Sequence, residues 1–234
     1  MNAGVLGVPV TGPLRNVDNR VTTSHDSGHE LTTAVDVAEQ HTLDGEVAAV
    51  EGRVLKETVK EQDTAIVEGG SIRIGCERQT NQRWADFSGI PARNDHEGFL
   101  LVNSSDATFA FDIVGDTVLE SADIDLGAFV DTHEVLNVST AGSPAVGPVN
   151  SVTAHGSNVL DDEEIGVGEH IRDSIRAGTL SQVRIRYRSD YGLVRGYLAA
   201  SGYVEVYEPD LETPDFLSLV ADDILPFASG GDDV

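Results

Sequence analysis

Cysteine occurs once in this chain of 234 residues, at Cys76, so no intrachain disulfide can form. A lone thiol with no base assigned to it is expected to be a buried structural side chain. Lysine is nearly missing: Lys56 and Lys60 are the only two, and the other 13 bases are arginines. Tryptophan occurs once, at Trp84, and there are five tyrosines, too few aromatics for the exposed cluster of a carbohydrate-binding or surface-layer module. No apolar run is long enough to span a bilayer. The opening Met1-Asn-Ala-Gly-Val-Leu-Gly-Val-Pro-Val10 lacks a charged leader and reads as neither a signal peptide nor a membrane helix. An extended arm that docks on a neighbouring subunit and a disordered terminus fit it equally.

The motifs of several enzyme classes are also missing. There is no Gly-x-Ser-x-Gly elbow, no phosphate loop ending in Lys and Ser or Thr, and no Gly-x-Gly-x-x-Gly. His25 and His29 are four apart with Asp26 between them, a metal-binding spacing on a helix, but Ser24, Ser27 and Gly28 mark a loop instead. Asp161, Asp162, Glu163 and Glu164 lack the spaced pattern of a calcium loop. No catalytic residue, metal or cofactor is therefore expected, and the chain does not read as an enzyme.

Acid is abundant. Forty Asp and Glu against 15 Lys and Arg give a formal net charge of −25. The acids are spread along the whole chain, as expected of a protein that works in high salt, where screening removes self-repulsion. Direct nucleic-acid binding is disfavoured, because polyphosphate would be repelled. Six of the 13 arginines lie between Arg172 and Arg195, and this local excess of positive charge is expected to meet an acidic surface.

The clearest local structure lies at 160–208. Ile171 and Ile175 share one helix face beside Arg172 and Arg176, with acids upstream and Gly178 just past the end, which predicts a short helix at about 169–177. Val183, Ile185 and Tyr187 then alternate with Arg184, Arg186 and Arg188, so one strand face is apolar and the other basic. Ser189-Asp190-Tyr191-Gly192 reads as a turn into a return strand from Leu193 to Tyr207, whose three tyrosines are assigned to the core. Arg172, Arg176, Arg184, Arg186, Arg188 and Arg195 form the candidate subunit interface.

Elsewhere the pattern is β. Val21–Asp26 begins a strand. Residues 46–60 admit a helix or strands, with valines and Gly52 favouring strands. Ala65–Val67, Gly69-Gly70 and Ile72–Ile74 read as a hairpin, whereas 79–95 reads as a polar loop pinned to the core by Trp84 and Phe87. Phe99–Val102, Thr108–Val114, Val118–Leu126, Phe129–Val138 and Val149–Val159 are further strand candidates. Residues 213–226 admit a helix started by Thr213-Pro214 or a closing strand. The expected fold is mostly β, an antiparallel sandwich or barrel with one short helix and an extended N-terminal arm. Its organisation is an arm at 1–25, a β-rich region at 26–105, a sandwich domain at 106–228 and an acidic tail at 229–234.

From about residue 107 onward, the order of features resembles the β-sandwich shared by tail-tube and distal-tail proteins of long-tailed viruses. The residues that carry it are Asn150–Gly156, His170–Thr179, Val183–Tyr187, Val194–Tyr197 and Phe216–Leu219. They match a strand, a short helix with a Gly-Thr step, a strand–turn–strand pair with an early glycine, and a final strand. The resemblance implies a virion structural protein that self-assembles into a tail tube or tail-tip ring, and the acidity then implies a virus of halophilic archaea. Its partners would be copies of itself and other virion proteins, within a virion assembled in the host cytoplasm. The single-jelly-roll major capsid proteins of internal-membrane icosahedral viruses are the alternative, followed by an extracellular binding or surface-layer module. High-salt adaptation predicts a melting temperature several degrees higher in about 3 M KCl than in about 0.1 M, since the Debye length is already ~3 Å at ~1 M. Equal melting temperatures by circular dichroism would remove that reading.

Overall fold

The computed structural model describes residues 2–43, 46–93, 96–104, 106–133, 135–142, 152–157, 180–208 and 211–230. The expected helix at 169–177, with Arg172 and Arg176, lies outside them, as does the tail beyond residue 230. The chain is mostly β, and every strand pairing among the described residues is antiparallel. These residues build a sheet network of 13 strands.

The first strand, β1 (Ala3–Pro9), sits in the middle of that network. One edge pairs with β6 (Phe99–Asn103), through Val5–Val102 and Gly7–Leu100. The other edge is shared between β12 (Tyr203–Val206) and β7 (Leu119–Ile124). Where the two meet, the Leu6 N–H donates to the Gly202 carbonyl at 2.8 Å. Leu6 is fully buried. The opening residues are thus extended, as expected, but β1 is seated in its own sheet rather than reaching for a neighbour. Its apolar alternation allows burial on both faces, and Gly4 and Gly7 admit close neighbours.

On one side of β1 the chain runs as a meander: β2 (Arg20–Asp26), β3 (His29–Leu43), β4 (Glu46–Glu68), β5 (Ser71–Ile90) and β6. On the other side β12 pairs with β11 (Gly192–Ala199), β11 with β10 (Leu180–Ser189), β10 with β8 (Val135–Gly142), and β8 with β9 (Val152–Ser157). A short β13 (Ala228–Gly230) pairs with β7. The return strand expected at 193–207 is therefore two strands, turned at Gly202, whose φ of 84° favours glycine.

Two cores lie on opposite faces of the sheet, and β6 divides its residues between them. Phe99 and Leu101 join Leu6, Val183, Ile185 and Tyr187 on one face, and Leu100 and Val102 join Val54, Phe87 and Phe111 on the other. Both cores draw residues from before and after position 105.

Short helices cap both cores. Helix α1 (Thr108–Val114) replaces the strand expected there and buries Phe109, Ala110, Phe111, Ile113 and Val114. With apolar residues at adjacent as well as alternate positions, that segment has no clean period of two. Helix α2 (Leu126–Thr132) takes the start of the expected strand at 129–138. Its Leu126, Phe129 and Val130 have helical spacing, and Asp125 caps it by accepting from the Ala128 N–H at 2.9 Å. Helix α3 (Thr213–Leu219) decides the two readings of the tail in favour of a helix, with Pro214 in its first turn, so Phe216–Leu219 is not a final strand. A π-helical turn at Val220–Ile224 follows. No helix among the described residues is long and apolar enough to cross a membrane.

That turn is tied to the β10–β11 hairpin. Tyr187 donates its hydroxyl to Asp223 at 2.9 Å, and Tyr191 donates to Asp222 at 2.6 Å. Burial, the Asp223 charge and this bond push the Tyr187 phenol far above its ordinary range. Burial and Asp222 push Tyr191 up to about 12.

A Cβ added at Gly7 would lie 2.4 Å from the Phe111 ring. Gly7→Ala is therefore expected to cost about 1–3 kcal/mol, read as a lowered urea midpoint; an unchanged midpoint would mean that β1 and α1 are not packed together. The raised phenols favour the folded state fully below the unfolded tyrosine value of 10.0, and that contribution is lost as pH rises past it towards about 12 and beyond. Urea midpoints are expected to fall between about pH 9 and pH 11.5, less steeply in Tyr187→Phe.

Candidate functional site

The basic strand face forms as expected. Val183, Ile185 and Tyr187 are buried, and Arg184, Arg186 and Arg188 stand exposed on the opposite face of β10. Antiparallel register sets Arg184 across from Tyr197, Arg186 across from Arg195, and Arg188 across from Leu193. Arg186 and Arg195 are like charges in directly opposed positions, an arrangement that destabilises an isolated sheet. Arg195 is partly compensated, its Nε donating to Glu208 at 3.1 Å. Arg186 makes no ion pair among the described residues.

The tyrosines assigned to the core lie on this outer face instead. Tyr197 and Tyr203 meet edge to face with ring centroids 5.8 Å apart, and Tyr207 is exposed. Tyr197 donates to the Gln182 side chain. Desolvation and Glu205 raise the phenols of Tyr203 and Tyr207. The result is a patch of arginine and tyrosine on an acidic protein, with Glu205 and Glu208 at its margin.

The meander carries a second feature that the sequence only partly revealed. β3 follows β4 as far as Lys56, and β6 follows β5 only from Asp86. Between them, Glu57–Glu68 and Ser71–Gln82 pair with each other alone among the described residues. Twelve residues at a strand rise of ~3.4 Å make a two-stranded ribbon roughly 40 Å long. Its tip is the expected hairpin at Gly69-Gly70, with φ values of 59° and 83°. The segment 79–90, expected as a loop, is the ribbon's return strand and its continuation into the sheet. Phe87 is buried as expected, but Trp84 is 59% exposed and lies under the Arg53 guanidinium.

Opposed residues share a face of the ribbon. Val67 pairs with Ile72 and Ala65 with Ile74, so these four apolar side chains cover one side of the tip. Val67, Ile72 and Ile74 are 72%, 74% and 77% exposed. Next on the same face come Asp63 and Cys76, then the Glu61–Arg78 ion pair at 2.8 Å. Cys76 is exposed rather than buried, because neither ribbon face is covered. Desolvation and the Glu61 and Asp63 carboxylates push its thiol up, which makes it a weak nucleophile.

A third group lies at the root of the ribbon. Asp36, Glu51, Arg53, Asp86, Phe87 and Asn103 line a groove of about 370 Å³. Arg53 Nε donates to Asp86 at 2.8 Å. Beside the groove, Glu39 and His41 approach Glu51. His41 Nε2 lies 3.1 Å from Glu51 Oε1 and 3.9 Å from Glu39 Oε1. The Thr213 hydroxyl, at the start of α3, donates to the other Glu51 oxygen at 3.0 Å. These residues are scattered over more than 170 positions of chain, and no spacing in the sequence announces them. The histidines that the sequence did single out fall on the β2–β3 hairpin, where His25 lies 3.6 Å from Glu30 and both side chains are open to solvent. Compared with known proteins, the chain matches no family description, no curated protein and no solved structure.

Proposed function

We propose that this chain is a non-enzymatic structural subunit that associates with further copies of itself, and that its place is a virion tail tube or tail-tip ring formed in high salt. The observation that carries the proposal is the ribbon. A two-stranded hairpin in water is marginal at best. This one runs beyond the rest of the sheet and ends in exposed valine and isoleucine. Covering that tip would stabilise both the apolar side chains and the unpaired strand edges.

A second copy is the occupant that the charge distribution favours. Outside its basic patch the chain is strongly acidic, so a neighbour presents acidic surface to the exposed face of Arg184, Arg186 and Arg188. High salt would weaken long-range repulsion between such acidic subunits while leaving apolar contacts in place. The jelly-roll capsid reading draws less support. Strands β2 to β6 run as a simple meander, whereas a jelly roll needs Greek-key crossings between two sheets.

Negative-stain microscopy and light scattering in about 3 M KCl, and again after dilution, test the proposal. Rings or tubes are expected for the native chain. The triple variant Val67→Ser, Ile72→Ser, Ile74→Ser is expected to weaken association by about tenfold or more with an unchanged melting temperature, because it alters only exposed positions. Arg186→Glu should also impair association more than folding. Monomers in both conditions, or normal assembly by the triple variant, would overturn the ribbon's role. Trimers or closed shells would favour the capsid reading.

A further inference from the structure

We infer that Glu39, His41 and Glu51 form a binding site for one first-row divalent metal ion of the zinc, cobalt or manganese kind. The three side chains each offer one ligand atom, and these atoms all lie within 4.8 Å of one another. Atoms held ~2.0–2.2 Å from a common ion are separated by roughly 3.0–3.5 Å. The His41–Glu51 separation of 3.1 Å already matches, and the 3.9 Å to Glu39 needs only a small movement of a side chain that is 65% exposed.

The sheet registers bring them together. Glu39 stands across from Glu51, and His41 across from Ala49, so all four share one face. Irregular register between Val37 and Glu39, and again between His41 and Thr42, separates this pairing from the rest of β3. Bulges of this kind re-aim side chains. Glu51 is held from behind, since Thr213 occupies its second oxygen and leaves the first turned to His41. An outer-shell hydrogen bond of this type fixes the orientation of a ligating carboxylate.

An independent observation points to a bound polar species. Ser88 faces Glu51 directly across β4 and β5, on the same side of the sheet. It is fully buried, and its Oγ has no hydrogen-bond partner among the described residues. A buried hydroxyl without a partner is uncommon and calls for a ligand or water beside it. An oxygen carried by an ion at Glu51 would complete it.

The donor set selects the ion. One imidazole nitrogen and two carboxylates suit zinc, cobalt or manganese, whereas calcium and magnesium take oxygen alone. Such an ion would join β3 and β4 to the start of α3, linking the root of the ribbon to the C-terminal part of the chain.

Calorimetric titration of the full chain with Zn²⁺, and visible spectroscopy with Co²⁺, test it in about 1 M KCl, where diffuse attraction to the acidic surface is screened. One saturable ion per chain is expected. His41→Gln and Glu51→Gln should weaken it by at least about tenfold, and Thr213→Val by about tenfold, the usual scale for ligand and outer-shell changes. Glu39→Gln alters an exposed side chain and keeps the test open if a more buried variant unfolds. It too should weaken binding and change the Co²⁺ bands. A His25→Ala, His29→Ala double variant should bind as the native chain does. Lack of saturable binding, or binding indifferent to His41→Gln, Glu51→Gln and Glu39→Gln, would overturn the site and leave an ordinary histidine–glutamate ion pair.

Discussion

The pairing of β1 on both edges is the constraint on which the rest of the structure depends. A strand of seven residues holds together β6 and β7 from the middle of the chain and β12 from much further on. Its alternation feeds both cores, with Leu6 and Val8 towards one and Val5 towards the other. The meander and the β10–β12 group are therefore halves of one network, joined through the same backbone. The Asn2 side chain tightens the joint by donating to the carbonyls of Glu208 and Leu211 at 3.1 and 3.2 Å.

What the sequence made legible were elements with one covered face. Val183, Ile185 and Tyr187 alternate because one side of β10 meets the core and the other meets water. The Gly69-Gly70 and Ser189–Gly192 turns were readable for a local reason, since positive φ at glycine is a property of the residue. Local pattern misled where both sides of an element are alike. α1 is apolar at neighbouring positions and imitates a buried strand. Gln79–Gln82 in β5 is polar on both sides and imitates a loop, because a ribbon in solvent imposes no alternation. Residue type alone points Trp84 and Cys76 to the interior, yet both are exposed, Cys76 on the ribbon and Trp84 at its root.

The candidate sites divide in the same way. The arginine face could be read from alternation within β10. Nothing local marks Glu39, His41, Glu51 and Thr213, which meet only through cross-strand register and the placement of α3. The ribbon root is where these effects converge. It carries the Arg53–Asp86 pair over Trp84, the histidine–carboxylate group, and a helix start from the far end of the chain.

The central place of β1 also bears on how the molecule is made. Val5 leaves the ribosome almost two hundred residues before its partner Tyr203. Until then the Ala3–Val5 edge of this apolar strand has no partner, and contacts so distant in sequence form slowly. The fold is thus closed from its last strands back to its first. A nascent chain released before β12 would present an unpaired central edge, so the integrity of the C-terminal strands decides whether the N-terminal strand is ever shielded from other chains.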